Sequence, residues 1–419
     1  MNKVLVIGGG GREHALCFRL AKSPSVSQVF CAGGNAGIAA DATCVDLKTH
    51  AEIADFCKSQ KIALVVIGPE QPLVDGLSDY LRSENIKVFA PSKKAAELEA
   101  SKGFMKDLCK KYNIPTAAYG FFDDKIAALN FLEGKIFPIV VKADGLAAGK
   151  GVIIAENKVE AVAAVEEMFS GSFGDAGAKV VVEEFLDGRE ASFFALCDGK
   201  KAVEFGFAQD HKRALDGDKG ANTGGMGTYS PPPIVTDAVR SEVMEKIVIP
   251  TMAAMEAEGI PFTGVLFAGL MLTKDGVKLL EYNVRFGDPE TQSLMLRFDG
   301  DLFALLLSCA NGAVDTKYIS FAKQAAVCVV MAAKGYPAAY AKGSVINGLE
   351  KAGALPNVKI FHAGTAEKDG KIISVGGRVL GVTALGDSIK QAQENAYRAV
   401  DLIDWKDGFC RRDIAWQAV

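Results

Sequence analysis

The residues best suited to chemistry lie in one stretch, Val277 to Glu290, with the sequence VKLLEYNVRFGDPE. Its first residues alternate between two faces, which predicts a short strand ending in a loop. Because side chains two apart on a strand point the same way, Glu281 and Asn283 should project a pair of oxygen ligands from one face. Such a pair suits a hard cation such as Mg²⁺.

The second half of this stretch adds a cation and a turn. Arg285 follows on the same face if the strand continues, and its guanidinium could pair with a carboxylate or a phosphate. Asp288, Pro289 and Glu290 then form a turn that carries two more acids. The alternative is a solvated strand end, since Asp, Gly and Pro are ordinary turn residues.

A second chemical stretch is Ile139 to Val152, IVVKADGLAAGKGV. An apolar strand ends in Lys142, and a glycine-rich loop with Gly149, Lys150 and Gly151 leads into another strand. This differs from the Walker loop, in which Gly-Lys-Ser/Thr opens a helix. Two strands joined by such a flap could close over a triphosphate, with Lys142 as a point charge for its oxygens.

The N-terminus reads as strand, glycine-rich turn and helix. Val4–Ile7 is apolar, four glycines follow, and residues 12–22 have a helical pattern. This order places backbone N–H groups and a helix N-terminus against a phosphate. It is an incomplete dinucleotide fingerprint, because Glu13 or His14 stands where the third glycine belongs. A turn needed only for packing is the alternative.

Three more apolar strands follow, at residues 29–32, 63–67 and 88–90, with helices between them. Alternating strands and helices predict a doubly wound parallel sheet. Ligands of such sheets bind at the carboxyl ends of the strands. Asn35 and Glu70 lie in loops at those ends and would supply polar contacts, unless they serve only as turn residues.

The middle and last parts of the chain are less explicit. The strand VVVEEFL at 180–186 leads to Glu190, an arrangement compatible with a purine base and a ribose hydroxyl. His211, in QDHKR, is either a base or, as we favour, a surface histidine. Residues 222–233 are rich in Gly and Pro, which argues against a helix or a central strand. From residue 313 we expect an α+β unit, in which Arg378 either reaches an active site or forms a hairpin.

Composition narrows the class of protein. A chain of 419 residues with 49% hydrophobic and 23% charged residues should form two to four globular domains. Its net charge of −4 gives no basis for nucleic-acid binding. The nine cysteines include no CxxC pair, which is typical of reduced thiols in the cytoplasm. We see no secretory signal and no apolar run of the ~20 residues that span a bilayer.

Three functional classes compete. Two lysines (102 and 142), a flap and an oxygen pair form an ATP·Mg²⁺ site, and the N-terminal phosphate loop implies a second, phosphorylated substrate. Together they favour a ligase that activates a carboxylate as an acyl phosphate for attack by an amine. An oxidoreductase would explain the glycine turn but not Lys142 or the flap. A non-catalytic nucleotide sensor would leave the other anion-binding loops unexplained.

Longer motifs carry a resemblance that runs from end to end. They are VLVIGGGGREHAL, GNAGI, IGPEQPLV, SKGFMK, VVKADGLAAGKGV, VVEEFLDGREASF, QDHKR, NTGGMGTYSP, LEYNVRFGDPET and GGRVL. The chain resembles the phosphoribosylamine–glycine ligases, also called glycinamide ribonucleotide synthetases, of the ATP-grasp superfamily. QDHKR together with NTGGMGTYSP and RFGDPET is specific to this family.

The resemblance implies an N-terminal phosphoribosylamine-binding domain at residues 1–101, an ATP-grasp domain at 102–312 and a C-terminal α+β domain at 313–419. A mobile lid would occupy about residues 122–190 of the ATP-grasp domain. The implied reaction joins glycine to 5-phosphoribosylamine with ATP, through a glycyl phosphate, in purine biosynthesis. A cytoplasmic monomer of the monofunctional, bacterial type is expected, with small-molecule partners and neither nucleic acid nor membrane.

The resemblance also assigns residues. Those implied for ATP are Lys102, Lys142, Gly149, Lys150, Gly151, Glu183, Glu184, Phe185, Leu186 and Glu190, with Glu281 and Asn283 for Mg²⁺ or Mn²⁺. Those implied for the sugar phosphate are Gly10, Gly11, Asn35, Glu70, Pro91, Asp288, Pro289 and Arg378. Arg285 and Asp210 are implied for catalysis. One departure concerns the metal: many ATP-grasp enzymes carry an acid where this chain reads Phe267 to Met271, which leaves the ligands of a second ion in doubt.

Overall fold

The computed structural model describes residues 1–145, 151–171 and 177–419. Its N-terminal part is a parallel sheet with strand order β3-β2-β1-β4-β5. The elements are β1 (Asn2–Gly8), α1 (Gly11–Leu20), β2 (Val26–Gly33), α2 (Ile38–Asp41), β3 (Thr43–Val45), α3 (His50–Gln60), β4 (Ile62–Ile67), α4 (Gln71–Val74), α5 (Leu77–Ser83) and β5 (Val88–Phe89). Leu5 and Ile7 of β1 join one apolar core, whereas Val4 and Val6 join another. The sheet is therefore covered on both faces, which confirms the predicted doubly wound arrangement.

A smaller four-stranded sheet follows, with the order β6-β9-β7-β8. This part contains α6 (Glu97–Ala100), α7 (Lys102–Lys111), β6 (Tyr119–Phe122), α8 (Lys125–Phe131), β7 (Ile139–Ala143), β8 (Val152–Ala155), α9 (Lys158–Phe169) and β9 (Val180–Glu184). Its strands pair antiparallel, and α8 and α9 supply the residues that share its core. The sequence predicts one helix over residues 93–112, and that prediction is wrong at Ser101. This residue is extended, and its hydroxyl accepts a hydrogen bond from the N–H of Phe104, so it caps a new helix.

The remainder of the chain is built on one large, mainly antiparallel sheet. Its first half comprises β10 (Arg189–Asp198), β11 (Ala202–Asp210), β12 (Arg213–Leu215), β13 (Lys219–Asn222), β14 (Gly227–Ser230), α10 (Asp237–Val243), α11 (Ile249–Ala257), β15 (Thr263–Thr273), β16 (Gly276–Asn283), α12 (Glu290–Arg297) and α13 (Leu302–Ala310). A π-helical segment, Met244–Val248, joins α10 to α11. The second half comprises β17 (Ala325–Ala333), α14 (Leu349–Gly353), β18 (Val358–His362), β19 (Thr365–Lys368), β20 (Lys371–Ser374), β21 (Arg378–Gly386), α15 (Ile389–Val400) and β22 (Gly408–Phe409). The pairs β12–β13 and β19–β20 form separate two-stranded sheets outside the large one.

Strand β14 joins the two halves of this sheet, and the sequence prediction for its residues is wrong. Tyr229 of β14 pairs with Gln209 of β11 on one side and with Val327 of β17 on the other. The strand therefore lies inside the sheet order β16-β15-β10-β11-β14-β17-β21-β18. The glycines and prolines lie mainly before and after its four residues, where they do not interrupt the ladder.

A β-bulge changes the faces of β16. Glu281 pairs with Gly269 and Leu279 pairs with Leu270, so Leu280 is an extra residue between them. Leu279 and Tyr282 are buried in the core, whereas Leu280 and Glu281 line a cleft. The predicted strand is confirmed, but Leu279 and Glu281 do not share a face.

The three parts together have the architecture that the sequence predicts: a doubly wound N-terminal domain, a smaller sheet with its helices in the middle of the chain, and a C-terminal α+β unit. Among the helices of the described ranges, none has the length and apolar character needed to cross a membrane.

Candidate active site

Glu281 lies in a cleft between the large sheet and the segment that follows β11. The cleft is lined by residues of β10, β11, β15 and β16, among them Glu190, Asp210 and Glu281, and by Lys212, which follows β11. After the bulge, the register pairs Glu281 with Gly269 and Asn283 with Phe267. Glu281 and Asn283 are two residues apart in a regular ladder and therefore share one face.

Electrostatics keep Glu281 ionised. Burial acts to raise the pKa of its carboxyl, but Lys102 and Lys142 outweigh burial and hold that pKa below its usual value. In the described residues no group of three His, Cys, Asp or Glu side chains could form a metal cage. A carboxylate and an amide oxygen nevertheless fit a Mg²⁺ or Mn²⁺ ion whose other ligands are phosphate and water oxygens.

Lys142 is the fourth residue of the fully buried strand β7, and its ammonium forms an ion pair with Glu183 of β9. The second oxygen of Glu183 faces Lys106 of α7. Burial acts to lower the pKa of Lys142, but Glu183 and Glu281 outweigh burial and raise it. Lys142 is therefore a charged group at neutral pH, although it is almost fully enclosed.

Lys102 connects the flap to helix α7. Its ammonium donates to the carbonyl oxygen of Gly145, at 3.2 Å, at the beginning of the flap. The carboxylate of Asp144 accepts from the N–H of Gly103 at 3.0 Å. Gly151, at the far end of the flap, accepts from the N–H of Ala143 at 2.9 Å. The predicted ligands Gly149 and Lys150 lie outside the described residues.

The segment after β9 has an apolar and a polar side. Phe185 is 39% exposed, whereas Leu186 is buried beside Met271. Glu184 accepts from the N–H of Ala118 at 3.0 Å. An exposed aromatic ring beside a buried leucine suits the flat, apolar face of a base.

Lys212 is surrounded by carboxylates. Its ammonium lies 3.0 Å from Asp210, and the cleft also contains Glu190 and Glu281. Burial acts to lower the pKa of Lys212, but the charges of Asp210 and Glu190 outweigh the effect of burial and raise that pKa. Burial raises the pKa of Glu190, and Lys212 opposes that rise. The pocket therefore combines a lysine whose pKa is raised, Lys212, with one acid whose pKa is raised, Glu190, and one whose pKa is lowered, Glu281.

Glu290 extends this pocket at the N-terminus of α12. Its carboxyl accepts from the hydroxyl of Ser192 at 3.1 Å. Burial raises the pKa of Glu290, and the nearby charge of Asp210 raises it further.

Arg285 connects the stretch to the N-terminal part of the chain. One of its nitrogens lies 2.9 Å from Glu99, and another lies 3.4 Å from Glu70. Burial acts to lower the pKa of Arg285, but these two carboxylates outweigh the effect of burial and raise that pKa. The strand ends at Asn283 and does not continue to Arg285, so the condition under which Arg285 would share the face of Glu281 and Asn283 is not met.

Asp288 occupies the junction of three parts of the chain. Its carboxylate accepts from the backbone N–H of Arg12, in the first turn of α1, at 3.0 Å. Another oxygen lies 3.5 Å from Arg378, and Arg378 also donates to the backbone carbonyl of Asp288 at 2.6 Å. Burial acts to raise the pKa of Asp288, but the charges of Arg378 and Arg12 outweigh the effect of burial and lower that pKa. The following bond to Pro289 is cis.

The glycine turn at the start of α1 is closely packed. A Cβ atom on Gly9 would lie 2.5 Å from the carbonyl oxygen of Gly34, and one on Gly11 would lie 3.6 Å from Asp288. Gly10 donates its N–H to Glu13 at 2.6 Å. The turn therefore brings backbone close to Asp288, at the end of the stretch that carries Glu281.

Two predicted substrate residues have structural roles here. The amide of Asn35 donates to the carbonyl oxygens of Gly9 and His362, both at 2.8 Å. The carbonyl of Pro91 accepts from the buried hydroxyl of Ser78. Both hold loops at the carboxyl ends of the strands in place.

Comparison with known proteins decides the family. The sequence matches the three domains of the phosphoribosylglycinamide synthetase family: the N domain over residues 2–99, the ATP-grasp (A) domain over 100–291 and the C domain over 326–417. This chain belongs to the phosphoribosylamine–glycine ligase family. It is therefore an enzyme of the ligase class, as its residues predict.

Its relatives match over nearly the whole length. A phosphoribosylamine–glycine ligase of Mesorhizobium japonicum is 57% identical, with 99% of this chain and 98% of the relative covered. The Escherichia coli ligase is 49% identical, with 100% and 99% covered. A chloroplastic ligase of Arabidopsis thaliana is 53% identical, with 97% and 79% covered.

Solved structures agree with this assignment. A phosphoribosylamine–glycine ligase of Thermotoga maritima is 34% identical and superposes with a TM-score of 0.87, covering 99% of this chain and 100% of that one. A biotin carboxylase of Campylobacter jejuni reaches 0.75 at 15% identity, with 98% and 93% covered, which shows a shared fold. ATP-grasp enzymes use ATP with a divalent metal ion.

Several charged residues that contact or neighbour the predicted side chains escaped the sequence prediction, notably Arg12, Glu99, Lys106 and Lys212. Lys106 had a readable signal, because it lies one helical turn after Lys102 among apolar residues. Glu99 gave none, since its contact with Arg285 spans a long separation in sequence. His211 is buried, and its Nε2 accepts from the N–H of Ala415 at 3.1 Å, so the preferred surface interpretation is wrong.

Proposed function

We propose that this chain joins glycine to 5-phosphoribosylamine at the expense of ATP, giving glycinamide ribonucleotide, ADP and phosphate in purine biosynthesis. The observation that carries the proposal is the course of residues 281–290. Glu281 faces the lysines of the central fold, whereas Arg285 and Asp288 contact residues of the N-terminal domain. One short segment thus connects an ATP half-site with a second half-site.

The proposed chemistry has two steps. A carboxylate oxygen of glycine attacks the γ-phosphorus of ATP, the bond to ADP breaks, and glycyl phosphate forms. The amine nitrogen of phosphoribosylamine then attacks the glycyl carbonyl carbon, phosphate leaves, and the nitrogen loses a proton. Both steps depend on positioning and on neutralising phosphate charge more than on a covalent enzyme nucleophile.

For ATP, Lys102 and Lys142 with the flap residues Gly149, Lys150 and Gly151 would contact the phosphates. The segment from Glu183 to Leu186 would face adenine, and Glu190 would hold the ribose. The ionised state of Lys142 supports its role, since a buried cation is an effective partner for a phosphate.

Glu281 and Asn283 would hold Mg²⁺ or Mn²⁺. When bound, such an ion would neutralise charge on the phosphates of ATP. The depressed pKa of Glu281 supports this assignment, because it keeps an anionic oxygen in the cleft.

The sugar phosphate would lie between the N-terminal loops and the turn at Asp288. Gly10, Gly11, Asn35, Glu70, Pro91, Asp288, Pro289 and Arg378 are proposed for this half-site. Arg285 would stabilise charge on the transferred phosphoryl group, and Asp210 would orient the attacking amine. Arg285 is already ionised and held by two acids, which supports a fixed rather than a flexible cation.

Domain limits at 101 and 312, with a lid at about 122–190, would divide these tasks. The lid would carry Lys142 and Glu183, and residues 1–101 would carry the sugar-phosphate loops. We also propose that the enzyme is a monomer and that it is located in the cytoplasm. The cytoplasmic location is supported by the nine cysteines, all of which are free thiols.

The test is ADP release measured with each substrate omitted in turn, with phosphoribosylamine generated in the reaction. We expect sustained ADP formation only when ATP, glycine and phosphoribosylamine are all present. Equal ADP release with another amino acid in place of glycine, or without phosphoribosylamine, would contradict the proposal.

A further inference from the structure

Lys106 is a fully buried cation that the proposed reaction does not use. Its side chain is 1% exposed, and its neighbours Met105 and Cys109 belong to the apolar core. Burying an ammonium group is costly unless the group is paired and hydrogen-bonded.

The ammonium of Lys106 connects three elements. It forms an ion pair with Glu183 of β9 and donates to the hydroxyl oxygen of Thr116 at 2.7 Å. The Thr116 hydroxyl in turn donates to the carbonyl oxygen of Leu279 at 2.7 Å. Leu279 precedes Glu281 by two residues on β16, so Lys106 joins α7 to both walls of the ATP half-site.

Glu183 is shared between two lysines. One carboxylate oxygen faces Lys142 and the other faces Lys106. All three side chains are at most 8% exposed. The group therefore carries two positive charges and one negative charge away from bulk solvent, where charge interactions are strong.

This charge count matters for Lys142. Without Lys106, the carboxylate of Glu183 would be countered by Lys142 alone, and the pair would be neutral. With Lys106 present, one positive charge remains uncompensated beside the cleft. Glu183 also fixes the direction of the Lys142 ammonium through their ion pair.

We propose that Lys106 is a positioning residue for ATP: by sharing Glu183, it leaves a net positive charge at Lys142 and orients that lysine towards the triphosphate. The inference rests on the proposed role of Lys142 in binding ATP phosphates. Lys106 itself touches no reacting atom.

The first test is steady-state kinetics of Lys106→Met, which keeps the length of the side chain and removes its charge. We expect the KM for ATP to rise roughly tenfold or more, with kcat reduced by less than about threefold, because ground-state binding of the triphosphate is what weakens. Lys110→Met, an exposed change on the same helix, is the control and should keep wild-type constants.

The second test restores the charge count. In the double variant Lys106→Met/Glu183→Gln, Lys142 again carries the single net charge. We expect this variant to recover part of the ATP affinity that Lys106→Met alone loses, because the net charge is restored while the neutral amide at residue 183 orients Lys142 less firmly than the carboxylate does. A structural role would give no recovery, because the packing around residue 106 is the same in both variants.

The outcomes separate this inference from the proposed function. A wild-type KM for ATP in Lys106→Met, together with a large increase in Lys142→Met, would overturn the role of Lys106 and keep that of Lys142. An unchanged KM in Lys142→Met would overturn both. Absence of recovery in the double variant would also overturn the charge-sharing role. Should Lys106→Met fail to fold, Lys106→Gln keeps a hydrogen-bond donor without the charge and carries the same expectation.

Discussion

At the scale of single residues, partners rather than solvent set the charge states in the cleft. Glu281 and Asp288 are enclosed, yet neighbouring lysines and arginines lower the pKa of each carboxyl. Burial raises the pKa of Glu190 and Glu290 instead. Acids with lowered and raised pKa values suit separate tasks. Those with a lowered pKa can serve as anionic ligands for cations, whereas those with a raised pKa hold a proton more readily.

Replacing Lys142 with Met should lower kcat/KM for ATP by about a hundredfold or more, because a buried counter-charge for phosphate is lost. Glu183 keeps Lys106 as a partner, so the variant should remain folded. ADP release measures the effect, and circular dichroism checks the fold. Lys158→Met, an exposed change in the same four-stranded part, is the matched control. Turnover near that of the control would refute the role of Lys142.

Changing Glu281 to Gln should raise the Mg²⁺ concentration needed for half-maximal activity by roughly tenfold, because an amide is a weaker ligand for a hard cation than a carboxylate. High Mg²⁺ should restore part of the lost rate. A metal titration of activity measures both effects, with the exposed change Asp275→Asn at the turn of the same hairpin as control. An unaltered metal requirement would count against a metal site at Glu281.

At the scale of elements, the C-terminal tail holds the hairpin that follows Asp210. His211 donates from Nδ1 to the carbonyl oxygen of Gly227, at 3.2 Å, and accepts at Nε2 from Ala415. The buried Arg411 binds Asp218 at 2.7 Å in the same hairpin. These contacts require a neutral His211, because a protonated ring could not accept from Ala415.

This requirement predicts a loss of stability in acid. Burial lowers the pKa of His211 below its ordinary value of 6.5. The unfolded chain therefore takes up the proton first, and His211 contributes stability that is present above pH 6.5 and is lost as the pH falls towards the folded-state pKa. Denaturant unfolding at several pH values should show a slope up to about 1.4 kcal/mol per pH unit from this group.

The contribution of His211 can be isolated by substitution, since burial also lowers the pKa of His14 and of His362, the latter to about 3. When the pH falls from neutral to below 6.5, the free energy of unfolding should decrease less in His211→Gln than in the wild type. His50→Gln should keep the wild-type dependence. Identical pH profiles for His211→Gln and the wild type would contradict the neutral-histidine interpretation.

Sequence patterns predict a helix or strand well when the residues that define it are neighbours in the chain. The sequence predicts helices over residues 50–60 and 302–310, and these are the limits of α3 and α13 in the structure, because both segments have clear ends. The break at Ser101 and the bulge at Leu280 were missed, since a single cap or extra residue hardly alters periodicity. Strand β14 was missed because its partner β17 lies about a hundred residues away, and only tertiary pairing makes those residues extended.

Similar reasons governed the site. Glycine turns, Lys142 and Glu281 could be selected because their chemistry is unusual in its local context. The ion pairs of Arg285 with Glu70 and Glu99, and of Arg378 with Asp288, connect distant segments and were not predictable from spacing. Their effect is that the stretch selected first is held by both neighbouring domains.

At the scale of the whole molecule, the C-terminal domain reaches the turn at Asp288 through Arg378. Replacing Arg378 with Met should lower kcat/KM for phosphoribosylamine by about tenfold or more, because Asp288 loses a partner and the backbone of its turn loses a hydrogen bond. The matched control is Arg412→Met, which removes an exposed ion pair with Asp401 in the same domain. Equal losses in both variants would point to general destabilisation instead.

The central claim is that residues 281–290 unite an ATP half-site with an amine half-site so that glycine is activated as glycyl phosphate between them. The most direct measurement uses glycine labelled with ¹⁸O in both carboxylate oxygens, with mass analysis of the inorganic phosphate released. The account predicts one ¹⁸O atom in each phosphate and one in the amide product, since the oxygen that attacks the γ-phosphorus leaves with it. Phosphate free of ¹⁸O, formed while glycinamide ribonucleotide accumulates, would contradict it.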